Sequence, residues 1–204
     1  MHVFPELLIL RHGETVWNAE GRWQGALDSP LTPLGEAQAR AMAVLVADLG
    51  VVPETHDLRT SPQGRAMTTA EAVSAATGLY PLPDARLREI GVGLWAGLSR
   101  TEIDTRWPPP DPDEHFLDRY ARAPEGEGFA ALWSRCAAVL ADLGRPTVIV
   151  THGITSRVLR TIATGRRPDQ LAELPGGQGV IFRISGGQHE TLIPPDLARQ
   201  APPV

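Results

Sequence analysis

Two histidines in this chain share one local setting. Leu8-Ile9-Leu10-Arg11-His12-Gly13 and Val148-Ile149-Val150-Thr151-His152-Gly153 each run an apolar segment into His-Gly. A neutral imidazole is a competent nucleophile and proton carrier near pH 7. Ligands of an open α/β sheet sit beyond the carboxyl ends of parallel strands, so two strands ending this way would bring both imidazoles to one ligand. A glycine after each histidine lets the backbone turn and approach that ligand without an intervening Cβ. Positive charge gathers beside them: Arg11 adjoins His12, and Arg65 falls in the first turn of a helix expected to start at Ser61-Pro62. Helix N-termini favour anions through unpaired N–H groups and the dipole. Two arginines, two histidines and two helix starts make a site for a dianion, and phosphate is the natural ligand.

The elements that must position these residues follow from periodicity. Short apolar runs alternate with helix-period segments, the pattern of a parallel α/β sheet. Glu6 to Arg11 and Thr147 to Thr151 read as buried strands, with Asp57 to Thr60 a weaker one. Thr32 to Leu49 reads as a helix with Thr32 as N-cap, Pro33 at its first position and Gly50 as its stop. Leu34, Gln38, Ala41, Leu45 and Leu49 fall near one face of it. A second helix runs from Ser61-Pro62 to Gly78, and Ala85 to Ile90 reads as extended. Ser99-Arg100-Thr101-Glu102 has the capping-box form. Leu132, Cys136, Val139, Leu140 and Leu143 make an apolar stripe ending at Gly144, and a helix follows from about Thr155 to Thr164. Val180 to Ile184 and His189 to Ile193 flank Ser185-Gly186-Gly187-Gln188 as a hairpin. Trp107 to Gly128, rich in proline and acid, reads as an irregular excursion, and the proline-rich tail from Pro194 as loosely ordered.

Composition narrows the function. At 204 residues with 42% hydrophobic and 21% charged residues, the chain is expected to form one soluble globular domain over 1–204. A net charge of −5 gives no basic footprint for nucleic acid. Leu7 to Leu10 is far too short to span a membrane, and no secretory leader is apparent. The single cysteine, Cys136, reads as a small buried core residue, which suits the cytoplasm. His2, His56, His115 and His189 lack metal-ligand spacing and read as surface residues. Neither a metal nor a cofactor is implied, and the oligomeric state is not legible.

Further motifs connect these pieces. Arg11-His12-Gly13-Glu14-Thr15-Val16-Trp17-Asn18 continues through Gly21-Arg22-Trp23-Gln24-Gly25 and Leu31-Thr32-Pro33-Leu34-Gly35-Glu36-Ala37-Gln38-Ala39. Ser61-Pro62-Gln63-Gly64-Arg65-Ala66, then Leu87-Arg88-Glu89-Ile90 with Gly93-Leu94-Trp95-Ala96-Gly97-Leu98, and finally Thr151-His152-Gly153 follow in order. Together they resemble the histidine phosphatase superfamily, phosphoglycerate mutase-like branch. The resemblance implies a three-layer α/β sandwich with a mostly parallel sheet flanked by helices. It also implies roles: His12 attacks phosphorus, Glu89 protonates the leaving oxygen, and Arg11, Asn18, Arg65 and His152 (with Gly153) hold the phosphoryl oxygens. Gln24 and Gly25 match positions that touch the rest of the substrate.

Ordinary explanations compete at several of these positions. Arg11 could pair with Glu14, Glu89 with Arg88, and Glu14 could rival Glu89 as the acid. Arg59 reads as a strand or surface residue, and Trp17, Trp23 and Trp95 as packing residues, with Trp23 beside the pocket.

Glu89 is followed by Ile90-Gly91-Val92-Gly93, with no cation until Arg100, whereas mutases of the family carry basic and aromatic residues there. Hydrolysis of a small phosphorylated metabolite is therefore the expectation; mutase-type transfer and a weakly catalytic phospho-ligand-binding regulator are the alternatives. The excursion at about 104–128 is expected to cap the substrate, with Trp107, His115, Phe116 and Tyr120 as a roof. Its acids (Asp104, Asp111, Asp113, Glu114 and Asp118) argue against a second phosphate, opposed by Arg106, Arg119 and Arg122. Where relatives often read Pro-Gly-Gly-Glu-Ser, this chain reads Pro124-Glu125-Gly126-Glu127-Gly128, losing a serine that would cap a helix.

Overall fold

The structure is a computed structural model that describes residues 4–198. Its strands are β1 (Leu7–Arg11), β2 (Asp57–Thr60), β3 (Pro81–Pro83), β4 (Thr147–Thr151), β5 (Ile181–Ser185) and β6 (Gln188–Leu192). The helices are α1 (Val16–Ala19), α2 (Pro33–Asp48), α3 (Gly64–Thr77), α4 (Arg100–Arg106), α5 (Phe116–Ala121), α6 (Phe129–Ala141), α7 (Gly153–Ala163) and α8 (Pro195–Ala198). One six-stranded sheet runs in the order β3-β2-β4-β1-β5-β6. β1 to β4 pair in parallel, and the β5–β6 hairpin closes one side antiparallel.

Side chains alternate across a strand, and each face of this sheet carries its own core. Leu8, Leu10, Leu58, Val148 and Val150 face α2 and α3, packing against Met42, Val46, Ala66, Ala70 and Val73. Leu7, Ile9 and Ile149 face α6 and α7, with Leu132, Cys136, Val139, Val158 and Leu159. This is the expected α/β sandwich, three layers deep. The α6 stripe is buried as expected, and Cys136 is a core residue.

Four local expectations change. The buried face of α2 is Gly35, Ala39, Met42, Ala43 and Val46, while Leu34 and Leu49 are exposed. Small residues won that face because the chain crosses there at backbone contact: a Cβ on Gly35 would lie 2.0 Å from the Glu14 carbonyl oxygen. Next, α3 begins at Gly64 with Gln63 as N-cap, not at Ser61-Pro62, because the Ser61 hydroxyl is turned to another partner. Third, Ala85–Leu87 is a 3-10 turn capped by Asp84 rather than a strand. Fourth, α7 begins at Gly153, so His152 itself is the N-cap residue.

The excursion is irregular between helices, as expected, but α5 sits within it with the His115 ring nitrogen accepting from Leu117 N–H. Part of its charge is paired internally. Arg119 meets Asp104 and Glu114, and Arg122 meets Glu114 at 2.5 Å. Of the five acids, Asp104 and Glu114 are thus paired with arginine. At the missing serine, Gly128 takes a positive φ of 75° at the N-cap of α6, with no side-chain cap. Glu125, where relatives have glycine, takes φ 58°. His56 is half-buried, and His189 is half-buried and hydrogen-bonded to Arg160 at 3.0 Å, so neither is a plain surface histidine. α8 orders the start of the tail; residues 199–204 and the surface reading of His2 lie outside the described residues.

Candidate active site

β1 and β4 are neighbours, with Arg11 in register with Thr151. The strands' carboxyl ends therefore deliver the two histidines side by side, their ring centroids 5.1 Å apart. His12 is almost fully buried. Its Nδ1 lies 2.7 Å from the Gly13 carbonyl oxygen, an atom that can only accept, so Nδ1 carries the proton and Nε2 keeps its lone pair. Burial, then Arg11 and Arg65, hold the His12 pKa well below the usual imidazole value. The ring is neutral at pH 7, as a nucleophile must be.

His152 lies wholly buried beneath it. The Ser61 hydroxyl sits 2.7 Å from His152 Nε2, much closer than its 3.4 Å alternative acceptor on Gln63. A hydroxyl hydrogen directed at Nε2 leaves the proton on Nδ1, and that Nδ1 has no partner in the protein. Burial, and then the neighbouring His12, Arg65 and Arg11, hold the His152 pKa well below the usual imidazole value as well.

Buried polar atoms without partners are rare, because each forfeits its solvation. Here Arg11 Nε, Arg65 Nε, His152 Nδ1 and Gln24 Oε1 are four such atoms, all from residues expected at the site. Three are N–H donors. Gln24 joins them if its amide is rotated: Oε1 then accepts from the Thr15 hydroxyl, now 2.9 Å from Nε2, and the N–H₂ turns inward. Asn18 fixes its own orientation by accepting from Thr15 N–H and Gln178 Nε2, which leaves its amide hydrogens free. A single cavity of about 170 Å³ is lined by Arg11, His12, Asn18, Gln24, Gly25, Arg65 and Glu89.

Several residues that sequence reasoning passed over hold these groups in place. Asp28 pairs with Arg65 at 2.9 Å and accepts from Gly64 N–H, while the Gly25 and Leu27 carbonyls accept from the same guanidinium. Gln63 bridges the Gly25 carbonyl and Glu89 N–H. Thr155 N–H donates to Glu89 Oε1 and Ile154 N–H to Oε2, while the Thr155 hydroxyl lies 2.8 Å from the Arg88 carbonyl and 3.0 Å from Glu89 Oε1. No sequence period links Asp28 to Arg65, 37 positions away; only the folded loop does.

The competing readings resolve by contact. Glu14 accepts from Thr32 at 2.9 Å and does not line the cavity. Arg88 approaches Glu127 rather than Glu89, and Arg59 approaches Asp84 from β2. Trp23 borders the cavity and stacks on Tyr120, whereas Trp95 is core. The glycine after His12 serves another purpose than expected. A Cβ there would lie 2.1 Å from the Gly35 carbonyl oxygen, so Gly13 admits α2. A Cβ on Gly153 would be 3.6 Å from the Arg11 guanidinium, an ordinary contact.

Comparison with known proteins accords with this arrangement. The model of the histidine phosphatase superfamily (branch 1) matches residues 7–193. The chain belongs to this superfamily. It is 35% identical over 174 residues to a probable phosphoglycerate mutase GpmB of Yersinia enterocolitica, covering 80% of this chain and 76% of that protein. The Klebsiella pneumoniae protein of the same name is 38% identical over 160 residues, covering 73% and 70%. Among solved structures, Bacillus stearothermophilus YhfR superposes with a TM-score of 0.74 at 32% identity, covering 93% of this chain and 96% of that one. A mycobacterial glucosyl-3-phosphoglycerate phosphatase in complex with VO3 gives 0.76 at 27% identity, covering 92% and 96%. Among the described residues, no group of three or more His, Cys, Asp or Glu side chains is arranged to hold a metal ion, and no helix is long and apolar enough to cross a membrane.

Proposed function

We propose that the chain is a metal-independent phosphomonoesterase that works through a phosphohistidine on His12. The observation that carries this reading is one cavity lined by a neutral, Nε2-free His12 and by Arg11 and Arg65, whose buried Nε groups lack partners, with the unpartnered Nδ1 of buried His152 in the neighbouring ring. His12 Nε2 attacks phosphorus, and the bond to the ester oxygen breaks. Arg11, Arg65, His152, Asn18 and Gln24 hold the phosphoryl oxygens, supplying fixed dipoles and charge that need no reorganisation. Glu89, on the same cavity wall, gives the departing oxygen a proton. As a carboxylate it then takes a proton from the water that cleaves the P–N bond, regenerating His12.

The substrate is a small phosphorylated metabolite, and residues 104–128 cap it within a single domain over 1–204. Phe116 and Tyr120 of this segment already line the cavities beside Glu89. The names of the curated relatives favour a second reading, phosphoglycerate mutase-type transfer. Against it, Ile90 and Val92, the residues just past Glu89, are buried core residues that contribute no cation to the leaving-group side.

The test is hydrolysis of p-nitrophenyl phosphate with excess chelator, for the unsubstituted chain and His12→Ala side by side. Turnover lost in the variant is expected. Turnover that needs added metal, or persists without His12, would remove the mechanism. Interconversion of 2- and 3-phosphoglycerate without phosphate release would instead establish the mutase reading.

A further inference from the structure

A second cavity, of about 210 Å³, lies on the other side of Glu89. It meets the phosphoryl cavity at Arg11, Glu89 and Tyr120, which line both. The ester oxygen of a phosphate held at His12 must face Glu89, so the alcohol half continues naturally into this second space.

Charge is distributed unevenly around it. All 19 basic residues of the chain are arginines. Among the described residues, every arginine except Arg11, Arg106, Arg157 and Arg160 makes an ion pair within 4.0 Å. Three of those four line this one cavity. In a chain of net charge −5, that is a local excess of uncompensated cation.

The two arginines on α7 are built in rather than loose. Arg160 is 1% exposed, lies 3.7 Å over the Phe182 ring, and donates to Ser156, to the Pro175 carbonyl and to the neutral His189 ring. Arg157 donates to the Leu174 carbonyl and sits 5.1 Å over Phe116. A Cβ on Gly176 would lie 2.9 Å from Arg157 Nη2, so the glycine leaves room for that side chain. Their acceptors are neutral, so neither charge is cancelled. Burial lowers both pKa values, that of Arg160 to about 9. A buried cation without a counter-ion is costly, and an anion bringing two oxygens to such forks relieves the cost.

We infer that Arg157 and Arg160 form a second anion subsite, and that the substrate is a phosphomonoester whose alcohol half carries a carboxylate or comparable anionic group. This rests on the phosphatase reading for the orientation of the ester, and the test separates the two. Isothermal titration calorimetry would compare 4-carboxyphenyl phosphate with its neutral counterpart 4-carbamoylphenyl phosphate. The full chain carrying His12→Ala would be used, so that neither ligand is consumed. The carboxylate is expected to bind about tenfold more tightly, the effect of one charge-assisted hydrogen bond. Adding Arg160→Gln or Arg157→Gln should bring the ratio towards one, while Arg106→Gln, which lies outside the cavity, should leave it unchanged. Because each ratio is taken on one protein, a partial loss of folding cancels. Equal affinities in the parent, no saturable binding of the carboxylate, or a preference that survives both substitutions would overturn the subsite. Turnover of p-nitrophenyl phosphate by the unsubstituted chain reports separately on the phosphatase reading: a preference without turnover keeps the subsite and removes that reading, and turnover without a preference does the reverse.

Discussion

His12 and His152 are kept neutral by the same burial that aims them, and this has a consequence for stability. Both folded pKa values are lowered, so between those values and the ordinary value of about 6.5 the unfolded chain binds more protons. Their contribution to stability is complete above about pH 6.5 and is lost as the pH falls towards the folded values. Denaturant midpoints should therefore drop between pH 7.5 and 5.0, and His152→Gln should make that drop shallower by up to about one proton of linkage. Glu89 makes a sharper kinetic prediction. Glu89→Gln should slow hydrolysis of an alkyl phosphate by about 10²–10⁴, the usual span for a general acid. An aryl phosphate, whose leaving group needs less help, should lose far less in the transfer of its phosphoryl group to His12. Equal losses in kcat/KM on both, a quantity that excludes the later hydrolysis of the phosphohistidine, would take the proton-donor role from Glu89. Arg65 supports a third test. Asp28→Asn leaves the loop's size intact but removes the charge that sets the guanidinium, so KM for phosphate esters and Ki for vanadate should rise together, by about tenfold.

Two turns show how an element can lose a local preference to its surroundings. Glu125 holds a positive φ that favours glycine, and its side chain is exposed, so Glu125→Gly should raise stability by about 1 kcal/mol. Thermal unfolding measures this directly. Gly128 is the opposite case. Restoring the relatives' serine would add an N-cap hydroxyl worth about 1 kcal/mol, but at φ 75° the backbone strain of about 1–3 kcal/mol outweighs it. Gly128→Ser is expected to leave the melting temperature unchanged or lower, and a clear increase would refute the strain argument. The α2 helix shows the same contest in its packing. Periodicity alone pointed to the larger Leu34, Leu45 and Leu49, yet the chain selected Gly35, Ala39 and Ala43 where the Gly13 loop must pass. Its caps, Thr32 and Pro33, were legible because capping is a local event.

Over the whole molecule, the sheet gathers residues from four distant stretches of chain at one edge, and Phe116 and Tyr120 of the 104–128 segment line the cavities beside them. Its internal ion pairs, Arg119 with Asp104 and Glu114 and Arg122 with Glu114, make it a self-supporting piece. Exchanging residues 107–122 for the corresponding segment of another superfamily member should therefore change which alcohols are accepted, leaving chelator-resistant p-nitrophenyl phosphate turnover in place. An unaltered substrate profile would remove the capping role.

Strand-His-Gly repeated in two settings, the capped helices and the alternating apolar runs were written in the chain, because each depends on neighbours within a few residues. From them the α/β class, the strand-end location of the candidate site and His12, His152, Arg11 and Arg65 could be named in advance, while Glu89 came only with the resemblance to the superfamily. Tertiary structure decided the rest. Asp28 with Arg65, Ser61 with His152 and Thr155 with Glu89 are contacts between segments 37 to 91 positions apart, which no local period encodes. The unpaired arginines of α7 are the clearest instance. In sequence they are two polar residues on a helix, and only the fold shows that they share a cavity while neither forms an ion pair.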